Sequence, residues 1–255
     1  MRSFLTALQF LTRIHLRTQT DLTMEDFGRS TKWFPLVGLV LGGLYMAAAW
    51  CLMRLFGQAE LVTAVLVLLP VFFTGGLLLD GLMDTADGVF SARSRERKLE
   101  IMKDSRVGSF GVIALVSLMM INWTAMRGID AVWLLPAVFV MPAIGRMAMV
   151  MVIAGFPYAR KEGMGKIFSD MADRKTVAAA GAVTAAGVLP WGGIAAAALL
   201  TGLVFAWGAG RWLTDRLGGL TGDTYGAIET LTETVVLLVF FVASWLVGGV
   251  HAVWL

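Results

Sequence analysis

Three carboxylates arrive within eight positions in the run Asp80-Gly-Leu-Met-Asp84-Thr-Ala-Asp87-Gly88. At about 100° per residue, Asp84 lies roughly 40° and Asp87 roughly 20° from Asp80 around a helix axis. All three then share one face within about 60°. Like charges on one face repel unless something positive sits between them. A hard divalent ion such as Mg²⁺ suits carboxylate oxygen, so Asp80, Asp84 and Asp87 are candidate metal ligands. A substrate diphosphate would complete the coordination. The plain alternative is a helix end whose acids face water or pair with Arg93, Arg95 and Arg97. Gly81 and Gly88 flank the cluster, and bare backbone there permits close ligand approach.

Other groups of residues carry charge near the same place. Ile101-Met-Lys103-Asp104-Ser-Arg106-Val-Gly108 precedes an apolar run and would return to the side of the aspartates. Asp104 is a candidate general base or further metal ligand; Lys103 and Arg106 would neutralise phosphate charge. The stretch Arg95 to Lys98 reads equally well as a face for anionic lipid. Arg160-Lys-Glu-Gly163-Met-Gly165-Lys166 sets glycines among cations. That pattern suits anion capture and makes Arg160 and Lys166 candidate phosphate ligands, against the plain reading of a basic membrane-flanking loop. Gly218-Gly219-Leu-Thr221-Gly222-Asp223 is a second candidate ligand-holding loop. In it Gly219 and Gly222 would approach the ligand and Asp223 would accept a proton. Glu229 and Glu233 share a helix face at i and i+4; their alternative is a solvated helix start with acids favoured near the dipole.

Arg146 interrupts an apolar span. An arginine near a span centre costs about 2.5–3.5 kcal/mol on insertion scales, so it is expected to meet an anionic substrate in a polar cavity, the plain alternative being a side chain that snorkels to the interface. Methionine in its place is expected to keep or raise stability while weakening activity. His15, His251 and Cys51 read as structural. Two histidines near opposite ends and one cysteine argue against a His/Cys zinc site, and leave no disulfide within the chain.

The elements that must position these residues follow from composition. The chain has 255 residues, 58% hydrophobic and only 15% charged, against about 25% charged in soluble domains. This predicts an all-α, polytopic membrane bundle, a single catalytic domain over 1–255. Spans of about 20 apolar residues are expected at 33–56, 61–79, 107–126, 131–155, 176–191, 193–210 and 234–255, about seven in all, or an even number if the short pair 176–191 and 193–210 reads otherwise. The start, 1–16, reads as an interfacial amphipathic helix. The loops 83–106, 156–175 and 211–233, with the first 32 residues, carry eighteen of the 21 Lys and Arg; the alternate connections carry two. The positive-inside rule then puts the N-terminus and these loops in the cytoplasm. The same bias explains the basic pI without a nucleic-acid partner.

Asp80-Gly-x-x-Asp84-Thr-x-Asp87-Gly88, then Ile101-Met-Lys-Asp-Ser-Arg-Val-Gly108, then Gly218-Gly-Leu-Thr-Gly-Asp223 resemble, in order, the cobalamin synthase family, the adenosylcobinamide-GDP ribazoletransferases. Phe4 to Arg13 and Phe34-Pro-Leu-Val-Gly38 extend the resemblance over essentially the whole chain. It implies a Mg²⁺-dependent enzyme of the bacterial cytoplasmic (inner) membrane, with its active site facing the cytoplasm and its surface in lipid. The implied reaction joins adenosylcobinamide-GDP to α-ribazole, or its 5′-phosphate, and releases GMP. A homo-oligomer is compatible with the sequence. Asp84-x-x-Asp87-Gly88…Ala92-Arg93 also partly resembles CDP-alcohol phosphotransferases, but the gap to Ala-Arg is one residue longer. A divalent-cation transporter is the third reading. It lacks an outer half-site, where only Glu60 and Asp130 are available.

Overall fold

The computed structural model describes residues 2–16, 22–57 and 60–247. His251 and the last residues of the final expected span lie outside the described residues. The described chain is helical: α1 (Arg2–Leu11), α2 (Met24–Ser30), α3 (Phe34–Phe56), α4 (Glu60–Thr74), α5 (Leu77–Phe90), α6 (Arg95–Ile101), α7 (Ser109–Gly128), α8 (Ala131–Gly155), α9 (Met164–Met171), α10 (Arg174–Val188), α11 (Gly193–Leu217) and α12 (Gly222–Val247).

Helix α8 is the axis of the bundle. It is apolar on every side except at Arg146, and a helix apolar all round belongs in the interior. Helices α3, α10, α11 and α12 pack around it. Small residues set the closest approaches: a side chain at Gly38 or Gly42 of α3 would overlap the α8 backbone. Helix α1 buries Ala7, Leu8 and Leu11 and packs on α2 and α3. Thr23 starts α2 with a capping box closed by Asp26.

Among the described residues five helices are long and apolar enough to cross a membrane, and the pair α4–α5 makes a sixth if taken as one broken span. This differs from the seven expected. Helix α10 has 15 residues, roughly 22 Å at about 1.5 Å per residue, short of a hydrocarbon core of about 30 Å. The expected span at 61–79 also divides. Helix α4 stops at Thr74, and α5 leaves it at 94°. Gly75 and Gly76 make that corner with φ of +67° and +79°, a conformation that side chains resist. Leu77 to Leu79 therefore belong to the acidic helix.

The expected loop 211–233 is mostly helix. Helix α11 continues to Leu217, Gly218 turns the chain at φ +73°, and α12 begins at Gly222. Thr221 and Thr224 cap α12 reciprocally: the Thr221 N–H donates to Thr224 Oγ1 at 2.7 Å and the Thr224 N–H to Thr221 Oγ1 at 3.3 Å. Glu229 and Glu233 thus lie inside a long buried helix, not at a solvated start.

Candidate active site

All three aspartates of the first motif lie on α5, as the spacing requires. Burial increases along the helix: Asp80 is exposed, Asp84 half-buried, Asp87 buried. Asp84 stands within electrostatic reach of Asp80, Asp223 and Asp87, and of the Arg160 guanidinium. The segments that carry Arg160 and Asp223 therefore meet the acidic helix. Two contacts bring them there. A Cβ at Gly81 would lie 2.7 Å from the Asp223 carbonyl oxygen, so the bare backbone of α5 admits the start of α12. The Pro157–Ala159 segment joins Leu220 by backbone: the Ala159 N–H donates to Leu220 O at 2.7 Å and the Leu220 N–H to Pro157 O at 2.8 Å. Gly81 thus serves helix packing rather than ligand approach. Gly88 does the same, facing Met102 and the Lys98 carbonyl.

Asp87 has a definite structural partner. Its two oxygens accept the N–H groups of Gly108 at 2.8 Å and Gly111 at 2.9 Å. The carboxylate therefore caps the first turn of α7 from a neighbouring helix. Asp87→Asn replaces one of these acceptors by an NH₂ group. It is expected to lower stability by about 1 kcal/mol, the usual worth of a cap, besides any effect on turnover. Thermal unfolding in detergent measures this; an unchanged midpoint would contradict the capping role.

Arg160 is the cation of the site. Its side chain is only 14% exposed, and Nη2 lies 2.9 Å from Asp223 Oδ2. Yet Nε and Nη2 donate no hydrogen bond. The contact with Asp223 is coulombic, and these N–H groups point elsewhere. A guanidinium held beside carboxylates in this way puts a fixed positive charge next to the acidic helix.

The remaining sequence candidates are engaged locally. Arg106 donates from Nε and Nη2 to the Asp104 carboxylate, with contacts down to 2.6 Å. Those bonds, with the Arg106 backbone N–H, hold the exposed Asp104 carboxyl down at about 2. Lys166 pairs with Asp170 one turn on, at 2.8 Å. Lys103 is exposed. Gly219 has φ +154° and passes close to the Pro157 carbonyl, while Gly222 opens α12 with free space beside it.

Arg146 departs most from expectation. It is 1% exposed, and Nη1 lies 2.6 Å from Glu229 Oε1 and 2.9 Å from Glu233 Oε1. Its anions belong to the chain itself. A methionine at 146 would strand two buried glutamates, so the expectation of unchanged or raised stability does not hold. Glu229 and Glu233 are the partners that sequence reasoning missed. Their i,i+4 spacing was visible, but nothing local links α12 to α8.

The donors around Asp84 are all hard oxygens, in excess over the one guanidinium, which fits a cation such as Mg²⁺ in kind. Among the described residues, no three acidic groups stand close enough to hold one ion between them. Mg²⁺ commonly takes only one or two carboxylates and completes its shell with phosphate and water, so the arrangement suits an ion that arrives with a diphosphate.

These features define a multi-span helical membrane protein in which an acidic helix, a guanidinium and glycine turns from distant segments converge. The chain belongs to the cobalamin-5-phosphate synthase family, which it matches over residues 3–241. Relatives named adenosylcobinamide-GDP ribazoletransferase include one from Clostridium acetobutylicum, 36% identical over 97% of this chain and 98% of the relative. One from Roseiflexus sp. is 40% identical over 91% and 86%, and one from Escherichia coli 39% identical over 92% and 97%. No solved structure matches the chain significantly.

Proposed function

We propose that this chain transfers the cobinamide phosphate of adenosylcobinamide-GDP to the 3′-hydroxyl of α-ribazole or α-ribazole 5′-phosphate, releasing GMP. The observation that carries this reading is the nearly buried Arg160 guanidinium, paired with Asp223 and set close to Asp84 of the acidic helix. Family membership supplies the substrates. The new bond joins the ribazole oxygen to the phosphorus bearing the cobinamide arm. The bond from that phosphorus to the bridging oxygen breaks, and GMP leaves with that oxygen.

Arg160 places its positive charge beside the diphosphate and offsets the charge that builds on the leaving phosphate. Asp80 and Asp84 are the residues that would hold Mg²⁺, with phosphate and water completing its shell, and Asp87 adds charge behind them while it caps α7. The bound ion would supply Lewis-acid neutralisation of the diphosphate. Asp223 takes the hydroxyl proton, because it stands with the acidic helix and Arg160. Lys103, Arg106 and Lys166 form a basic approach surface. The site faces the cytoplasm of a bacterial inner membrane, in line with the distribution of lysine and arginine.

Asp104 is a poor base by its chemistry. A carboxyl held at about 2 by Arg106 stays ionised above that pH and takes up a proton reluctantly. Asp104→Asn is therefore expected to leave the acidic limb of the pH–rate profile where it is. Disappearance of that limb in the variant would return the base role to Asp104.

The proposal is tested by incubating the purified chain with adenosylcobinamide-GDP and α-ribazole in Mg²⁺ buffer. GMP release that requires both substrates is expected. CMP release from a CDP-activated alcohol would favour a phospholipid-type transferase, and no release from either pair would remove both.

A further inference from the structure

A cavity of about 620 Å³ lies between the end of α1, the α4–α5 corner and α7. Of the site described above, only Asp80 reaches it. Its lining includes Arg13 and His15 on one side, Val71, Leu115 and Met119 on another, and Asp80 of the acidic helix. The corner creates the space. Two left-handed glycines turn α5 away from α4, and the end of α1 settles over the turn. The Arg13 N–H donates to Phe73 O at 2.7 Å. The Arg13 guanidinium lies so close over Gly75 that any side chain there would overlap it. Among the described residues no carboxylate pairs with Arg13. The His15 Nδ1–H donates to the Arg13 carbonyl at 2.9 Å, because a carbonyl can only accept.

We infer that this cavity is the acceptor subsite and takes a ligand of the nucleoside monophosphate class. Arg13 holds the phosphate by charge-assisted hydrogen bonds. The apolar wall of Val71, Leu115 and Met119 receives a flat aromatic base. Asp80 lines the cavity and also stands on the acidic helix with Asp84, so a ribose hydroxyl near Asp80 is presented to the acids. The volume is in the usual range of about 300–1,000 Å³ for a small-ligand pocket; an activated corrinoid with its GDP is larger than such a ligand. The inference rests on the reaction proposed above, in which such a nucleoside is the acceptor.

The test measures binding without chemistry. The full chain in zwitterionic lipid nanodiscs is titrated calorimetrically with α-ribazole 5′-phosphate and, separately, with α-ribazole, with no corrinoid present. Arg13→Gln is expected to weaken the phosphorylated ligand about tenfold, the loss of one charge-assisted hydrogen bond, and to leave α-ribazole within about twofold. Arg13→Lys should fall between, since it keeps the charge and loses the planar fork; it carries the test if Arg13→Gln does not fold. In turnover, the KM for the phosphorylated acceptor should rise while that for adenosylcobinamide-GDP holds.

Equal weakening of both ligands, no weakening, or a shift confined to the corrinoid KM would overturn the inference. Anionic lipid offers the same phosphate chemistry. If Arg13→Gln alters only the retention of phosphatidylglycerol in mixed discs, the cavity is a lipid site and the inference falls. Arg13-dependent binding in a wild type that releases no GMP would keep the subsite and remove the reaction. GMP release with Arg13-independent acceptor binding would do the reverse.

Discussion

Asp84→Asn is expected to cut turnover by at least ~10²-fold, in line with removal of other charge-stabilising groups, while leaving the protein as stable or more so. The two halves of this result have one cause. Asp84 is half-buried and, among the described residues, accepts no hydrogen bond; it faces Asp80, Asp223 and Asp87. Its charge is unfavourable to the folded chain and useful only when a cation or a cation-bearing substrate is present. Removing it relieves repulsion and removes the ligand. Asp87 differs, because its oxygens cap α7. Turnover and thermal unfolding of Asp84→Asn, measured together, check the argument. Near-wild-type turnover at saturating Mg²⁺ would end Asp84's role at the site, and a clear loss of stability would show an unseen structural bond.

The acidic helix was legible because its signal is local. Asp80, Asp84 and Asp87 obey a helical period, and no distant contact is needed to put them on one face. The glycine turn at 218–219 was visible for the same reason, as was the apolar bundle. What remained hidden depends on contacts between distant segments. Arg146 and Glu229 are 83 positions apart, so an arginine in an apolar span read as a substrate ligand when its counter-charges were already built into α12. Gly81 read as room for a ligand; it is room for the backbone of Asp223. The corner at Gly75–Gly76 was written in the sequence as adjacent glycines, but the apolar run on either side hid it inside one span. That corner and the shortness of α10 separate the seven spans read in the sequence from the five or six that the described residues offer by length and composition.

Arg146→Met is expected to destabilise the protein by about 3–5 kcal/mol, the usual cost of removing one partner from a buried ion pair. Glu229 and Glu233 are 0% and 7% exposed, and the guanidinium is their cation. The loss should be largest in α12, whose first residues carry Gly222 and Asp223. Turnover should fall with stability, and Arg146→Lys should recover only part of either: an ammonium can stand in for Nη1, which alone donates to both carboxylates and the Pro142 carbonyl, but it is more strongly hydrated than a guanidinium and costs more to bury. The double change Arg146→Met with Glu229→Gln should be more stable than Arg146→Met alone, since it removes one of the stranded charges. Unfolding midpoints of these variants in a common detergent provide the test. An Arg146→Met protein as stable as the wild type, with a raised KM for adenosylcobinamide-GDP alone, would return Arg146 to the substrate site.

The central claim is that the diphosphate is handled between the acidic face of α5 and Arg160. The most direct measurement is an experimental structure of the full chain with adenosylcobinamide-GDP and Mg²⁺, with Asp84→Asn as a slow variant if turnover intervenes. The diphosphate is predicted to lie against Arg160 and the Asp80–Asp84 side of α5, beside the start of α12 at Gly222. A diphosphate seated instead on Lys103, Arg106 and Lys166, away from α5, would contradict the account.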